Sequence, residues 1–385
     1  MNKLLYYIFL TVFFGACSGI KVVNVKYAEK IPKNYLVYAL PRSVLAIDVE
    51  VTEIRTLRGP YYEYSEKYMG IKDVSQTNRS EYFISNADVS LTAEPDSNNY
   101  YFIFPKGKSS IKSLNLTENG ILLSINSKKP DVKIPAVSKN AISNQQPFPS
   151  VIFTELSQKD YIKEHIDTTW KQVKIDTNWV RVPVQKKTIE AITFEDKAKE
   201  AAHHIMRLRK RLFKLLSGAY NKVPDIKSSD VIVSELRKEE EEYLSLFIGK
   251  TFTRKYNYRF YYSPAIQNCG KQEVLAFLNT EKGLSAEKSG KVLPLTLVIN
   301  RNGNLSQLDT AISKFKKTTA KQGIVYRIPE LATINISLGN NSMLKKQFPI
   351  AQFGILNSMP CKSLKGKNST VEFDPLSGNV VKIGY

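Results

Sequence analysis

The chain has 385 residues, 42% of them hydrophobic, with 21 Tyr and 18 Phe; this is enough material for two or three domains with real cores and excludes a disordered polypeptide. Its 56 basic residues outweigh 36 acidic ones, for a net charge of +20. No apolar run beyond the first residues approaches the roughly 20 that a membrane-spanning helix needs, so a polytopic membrane protein is excluded.

Lys3 gives a positive start, Leu4 to Phe14 is apolar apart from Thr11, and Gly15-Ala16 places small residues before Cys17. That order reads as a secretory signal over residues 1–16. The small pair before a cysteine resembles a bacterial lipobox, with Phe14 where such a box typically has Leu. Cys17 is therefore the expected lipidation site, and residues 17–33, ending in Ile31-Pro32-Lys33, the expected tether. Export also redirects the meaning of the charge. It removes nucleic acid as a partner and leaves lipid headgroups, lipopolysaccharide and acidic glycans, or simply a soluble basic surface.

Residues 34–192 form the first β-rich region. Val37-Tyr38-Ala39-Leu40, Val44 to Val51 and Tyr100 to Phe104 carry the β-branched and aromatic residues of strands. Leu114 to Thr117 and Ile121 to Ile125 flank Glu118-Asn119-Gly120, a hairpin signal because Asn-Gly tolerates positive φ. Residues 127–150 shift to Pro, Asn, Ser and Lys and read as a loop, after which Val173 to Ile175 and Trp179 to Val184 read as strands.

Residues 193–249 change period. Ala198, Ala201, Ile205, Leu208, Leu212 and Leu215 recur every three or four positions, with Thr193 and Asp196 as caps and Gly218 as a stop. A second helix is predicted from about Asp230 to Ile248, ended by Gly249, so the two form an antiparallel hairpin. Residues 250–385 return to strands at Phe252 to Tyr262, Leu293 to Asn300, Val371 to Phe373 and Val380 to Ile383. The expected fold class is α+β, mostly β: two β-rich domains separated by an antiparallel helical hairpin.

Leu40-Pro41-Arg42, Gly59-Pro60-Tyr61-Tyr62, Lys67-Tyr68-Met69-Gly70-Ile71, Arg209 to Leu216, Glu242-Tyr243-Leu244, Tyr326-Arg327-Ile328-Pro329, Pro349 to Gly354 and Phe373-Asp374-Pro375 together resemble a domain-of-unknown-function family of exported proteins found mainly in Bacteroides and related bacteria. The resemblance covers nearly the whole mature chain and implies a cell-envelope setting without an assigned activity. Surface-destined lipoproteins of those bacteria tend to carry acidic residues after the cysteine. Here Ser18-Gly19-Ile20-Lys21 follows, which implies an outer-membrane lipoprotein facing the periplasm. The same resemblance makes Asp167-Thr168-Thr169 and Asp309-Thr310-Ala311 look like O-glycosylation sequons, with Thr168 and Thr310 as acceptors.

Among chemistries, cysteine arithmetic permits a disulfide between Cys269 and Cys361 and equally two separate buried thiols. His203 and His204, adjacent on a helix, point about 100° apart and cannot share a metal as an i, i+4 pair would. No Gly-x-Ser-x-Gly or His-Glu-x-x-His occurs, and Gly249-Lys250-Thr251 lacks the first glycine of a phosphate loop. Glu239 to Glu242 fan around their helix and are expected to meet Arg207, Arg209, Lys210, Arg211 and Lys214 across the hairpin. No catalytic residue, metal ligand or cofactor is assigned. The expectation is a scaffold or binding module for an envelope protein or glycan; the rival is a hydrolase or transferase on envelope polymers with a dispersed site.

Overall fold

The computed structural model describes residues 21–28, 35–104, 111–130, 134, 153, 162–175, 178–219, 226–303, 305, 307–311, 313, 323–360 and 369–384. In chain order the elements are β1 (Lys21–Asn24), β2 (Leu36–Leu57), α1 (Ser65–Met69), β3 (Arg79–Phe104), β4 (Leu114–Leu116), β5 (Leu122–Ile125), β6 (Ile162–Ile175), β7 (Asn178–Ala191), α2 (Phe194–Leu216), α3 (Ile226–Ile248), β8 (Lys250–Tyr262), β9 (Gln272–Asn279), β10 (Gly283–Ser285), β11 (Leu293–Arg301), β12 (Gly323–Leu338), β13 (Asn341–Pro360), β14 (Thr370–Phe373) and β15 (Val380–Gly384). The chain is α+β and mostly β.

Two long antiparallel hairpins form the frame, β2 with β3 and β12 with β13. The separate strands expected at 37–40 and 44–51 are one strand, because Pro41 sits at a bulge rather than a break. The sheets run β1-β3-β2-β8, β10-β9-β11-β12-β13 and β15-β14-β5-β4, and β6-β7 stands as a two-stranded ribbon. Leu45, Ile47, Val49 and Val51 alternate along β2 and meet Leu295, Leu297, Ile334 and Ile336 in the main core. Nearer the start of β2, Tyr38 and Leu40 join Ile103, Ile125, Ile324 and Phe373 in a second core.

In sequence the helices do separate two β-rich stretches, but in space the strands of those stretches share sheets. β8 pairs with β2 from Lys250↔Leu57 to Leu45↔Tyr262, and β14 pairs with β5. Periodicity assigns a residue to a face; partner choice depends on which distant strand completes the burial of that face. Residues 21–24 also depart from the expected tether. They add β1 to the open edge of β3, from Lys21↔Phe104 to Asn24↔Tyr101, where unpaired backbone groups were available.

Thr193 caps α2 by accepting the Asp196 N–H at 3.1 Å, and Glu195 and Asp196 suit the positive end of the helix. Ala198, Ala201 and Ile205 pack with Tyr61, Leu246 and Phe247 in a third core. α3 ends as expected at Gly249, at φ +87°, where a Cβ would lie 2.2 Å from the Leu57 carbonyl. This close approach locks the helix end to the end of β2. Its beginning, Ile226, is four residues earlier than the sequence reading.

Candidate functional site

Buried polar groups are the first place to look for chemistry. The buried carboxylates among the described residues all have partners, whereas Ser263 Oγ and Arg327 Nε are buried without a hydrogen-bond partner. Glu53, on the core face of β2, accepts from the Tyr256 hydroxyl at 2.6 Å and from Ser80 at 3.3 Å. Tyr82 lies directly opposite on β3; burial, then its bond to Glu53, pushes its pKa up to about 12. The partners of Glu53 are hydroxyls and not a second carboxyl, so this site holds no carboxylate pair. Glu330, also buried, accepts from Arg301 Nε at 3.0 Å. Neighbouring Cys269 has its thiol pKa raised, chiefly by burial, the opposite of what a reactive cysteine requires. Asp96 and Arg327 form a buried ion pair between β3 and β12.

Among the described residues, no three His, Cys, Asp or Glu are grouped to hold a metal ion, and no helix is long and apolar enough to cross a membrane. The acidic run of α3 makes specific surface contacts: Glu239 with His204 at 2.9 Å, Glu240 with Arg209 at 2.6 Å and Glu242 with Lys250 at 2.5 Å. Of the basic residues expected there, Arg209 makes such a bridge; Arg207, Lys210, Arg211 and Lys214 stand exposed.

The most unusual surface is the β6-β7 ribbon. Its fourteen paired positions run from Ile162↔Ala191 to Ile175↔Asn178, about 46 Å of two-stranded sheet. Register places Ile166, Trp170, Trp179, Pro183 and Ile189 on one face and Val173, Val180, Val182 and Val184 on the other. Both faces are in solvent: Trp170 is 64% exposed, Trp179 66% and Ile189 63%. These are the chain's two tryptophans, and they lie about 13 Å apart along the strand direction. Exposed Lys171, Arg181 and Lys186 add positive charge. Sequence reasoning read parts of both strands and missed the exposure, which an alternating pattern does not encode.

Thr168 is exposed on the tryptophan face of this ribbon, and Thr310 is exposed in a short helical turn over 307–311, so both are accessible as the sequon reading requires. Cys269 is free and part-buried, with its thiol directed to the Ala265 carbonyl. The expected signal segment over 1–16, Cys17, Cys361 and most of 127–150 lie outside the described residues.

The family model described as a domain of unknown function (DUF4831) matches residues 34–175 and 151–381. The chain belongs to this family. The two matched segments together take in every sheet except the strand β1 and the last residues of β15, and their overlap contains β6. Stretches that carried the resemblance turn out to build the DUF4831 frame: Tyr61 fills the third core, Arg327 makes the buried ion pair, and the Asp374 carboxylate accepts from the Leu376 and Ser377 N–H groups to shape the last turn. No curated protein and no solved structure matches the chain.

Proposed function

We propose that this protein is a non-catalytic binding module of the cell envelope, held on the outer membrane by lipid at Cys17 and facing the periplasm, with the β6-β7 ribbon as its arm for an envelope protein or glycan. The observation that carries the reading is the ribbon itself, which leaves both faces and both tryptophans in water. An isolated two-stranded ribbon is marginal in water, and large exposed aromatics concentrate where partners bind. The occupied state of Glu53, Glu330 and Asp96 favours binding over catalysis.

A photo-crosslinking residue at Gln172, between the two tryptophans, tests this in living cells. The expected result is a discrete adduct that disappears when Trp170→Ser and Trp179→Ser are added, while the variant still folds and fractionates with membranes. Protease digestion distinguishes a protein adduct from a glycan one. A hydrolytic or transfer activity on purified envelope glycan that persists in the double variant, with no adduct, would overturn the reading.

A further inference from the structure

β1 begins at Lys21, four residues after Cys17. A chain extends at most about 3.6 Å per residue, so these four steps reach no farther than about 14 Å, whereas a tether through residue 33 would reach about 58 Å. The folded body therefore cannot stand away from whatever holds Cys17. The surface at that point is apolar and aromatic: Tyr27 is 80% exposed, Tyr35 42%, Leu36 44% and Val25 38%. Beside them is a cleft of about 280 Å³ lined by Val25, Tyr35, Val37, Tyr100 and Phe102, with Lys26 the charged residue among its walls. The Tyr35 ring meets Phe102 edge-on at 4.8 Å.

We propose that this aromatic surface rests on the lipid bilayer that anchors Cys17, with Tyr27 and Tyr35 at headgroup level and Lys26 facing anionic lipid. The proposal rests on the lipid-anchor reading above. Tyrosine suits that depth because its ring prefers hydrocarbon and its hydroxyl prefers water, and lysine adds attraction to anionic headgroups. The occupant is fixed by the length of chain before Lys21, which leaves no room for a large partner between the anchor and the patch.

The same geometry orients the ribbon. β2 starts at this patch with Leu36 and continues for 22 residues, about 70 Å of strand, to Leu57. Tyr61, just past that end, packs its ring 4.9 Å from Phe194. Phe194 opens α2 three residues after Ala191, the last residue of β7. The ribbon is thus rooted at the end of β2 opposite the membrane patch, which under this proposal places its root away from the bilayer.

The test uses the full lipidated protein reconstituted into phosphatidylethanolamine and phosphatidylglycerol vesicles carrying brominated acyl chains, which quench nearby indoles. Native emission, which comes from Trp170 and Trp179, should match that in unbrominated vesicles. A Tyr27→Trp protein should lose about a third of its emission, the share of one tryptophan in three, and Tyr35→Trp should behave alike if either variant folds poorly. Acyl labelling of Cys17 is measured on the same samples. Labelled protein with no quenching in either variant overturns the membrane-contact proposal and leaves the anchor intact. Absence of label removes the anchor reading and the proposal with it. Quenching of the native tryptophans overturns the orientation.

Discussion

The side-chain amide of Gln352 pairs with both backbone groups of Ser43: Oε1 accepts from the Ser43 N–H at 2.9 Å, and Nε2 donates to the Ser43 carbonyl at 2.9 Å. β8 stops pairing with β2 at Leu45, so Gln352, reaching from β13, continues the ladder where the strand has ended. Nε2 also donates to the Pro264 carbonyl, and the Ser43 hydroxyl accepts from the Ala351 N–H. This node sits between the two cores that β2 serves. Gln352→Ala would leave backbone groups of fully buried Ser43 without partners, at about 1–3 kcal/mol for each group. The expected result is a lower urea midpoint with an unchanged slope, and an equal midpoint would mean the pairing contributes nothing.

The Asp96–Arg327 pair should fail asymmetrically. Removing one partner leaves a buried charge alone, so Arg327→Met is expected to cost about 3–5 kcal/mol, with part of the loss recovered by adding Asp96→Asn. Burial raises the Asp96 pKa, but the Asn98 N–H, the Asn99 amide and Arg327 together outweigh it and hold the carboxyl below its ordinary value. A depressed pKa stabilises the fold above the unfolded value, near pH 4, and that contribution is lost as pH falls through the folded value. Acid titration of stability should therefore be shallower in Asp96→Asn than in the native protein.

At the alkaline end the sign reverses. Tyr61 is pushed up to about 12 by burial and then by the charge of Glu200, and Tyr82 is also pushed up to about 12. An unfolded tyrosine releases its proton near pH 10. Between those values the unfolded chain has lost protons that the folded chain keeps, so stability is whole below pH 10 and declines as pH rises toward 12. Tyr61→Phe should flatten that decline; a native protein equally stable at both pH values would contradict it.

Because both tryptophans lie in the ribbon, emission excited selectively from tryptophan reports on it alone. Native protein is expected to show solvent-exposed emission, readily quenched by acrylamide, that changes little while far-UV circular dichroism records unfolding of the β frame. Trp170→Ser with Trp179→Ser should shift the urea midpoint by less than about 0.5 kcal/mol equivalent, as surface substitutions do. Shielded emission in the isolated protein would show that the ribbon is covered.

Gly249→Ala is expected to destabilise the junction of α3 and β2, since the new methyl would meet the Leu57 carbonyl at 2.2 Å with the backbone already at φ +87°. A loss of about 1–3 kcal/mol is the scale of such overpacking. Gly120→Ala, also at positive φ but with nothing within 4 Å, separates backbone strain from the steric clash.

The helices were legible because their signals are local: a 3.6-residue period from Ala198 to Leu212, Thr193 at one end and Gly249 at the other. The Asn119-Gly120 hairpin was legible for the same reason. β12 and β13 were not, because Pro329 and Gly354 interrupt their pattern at a shift in register that only the paired strands reveal. The stretches around Arg327 and Gln352 carried the family resemblance, but nothing in them named Asp96 or Ser43 as partners, which lie hundreds of residues away. Sequence by itself determined the class of fold, the helical hairpin and many strand positions, since caps, turns and periods are properties of neighbouring residues. Tertiary structure alone decided that the two β stretches share sheets, that the frame continues to within four residues of Cys17 and that the tryptophan ribbon is bare, because strand pairing and exposure depend on which distant segments cover each face.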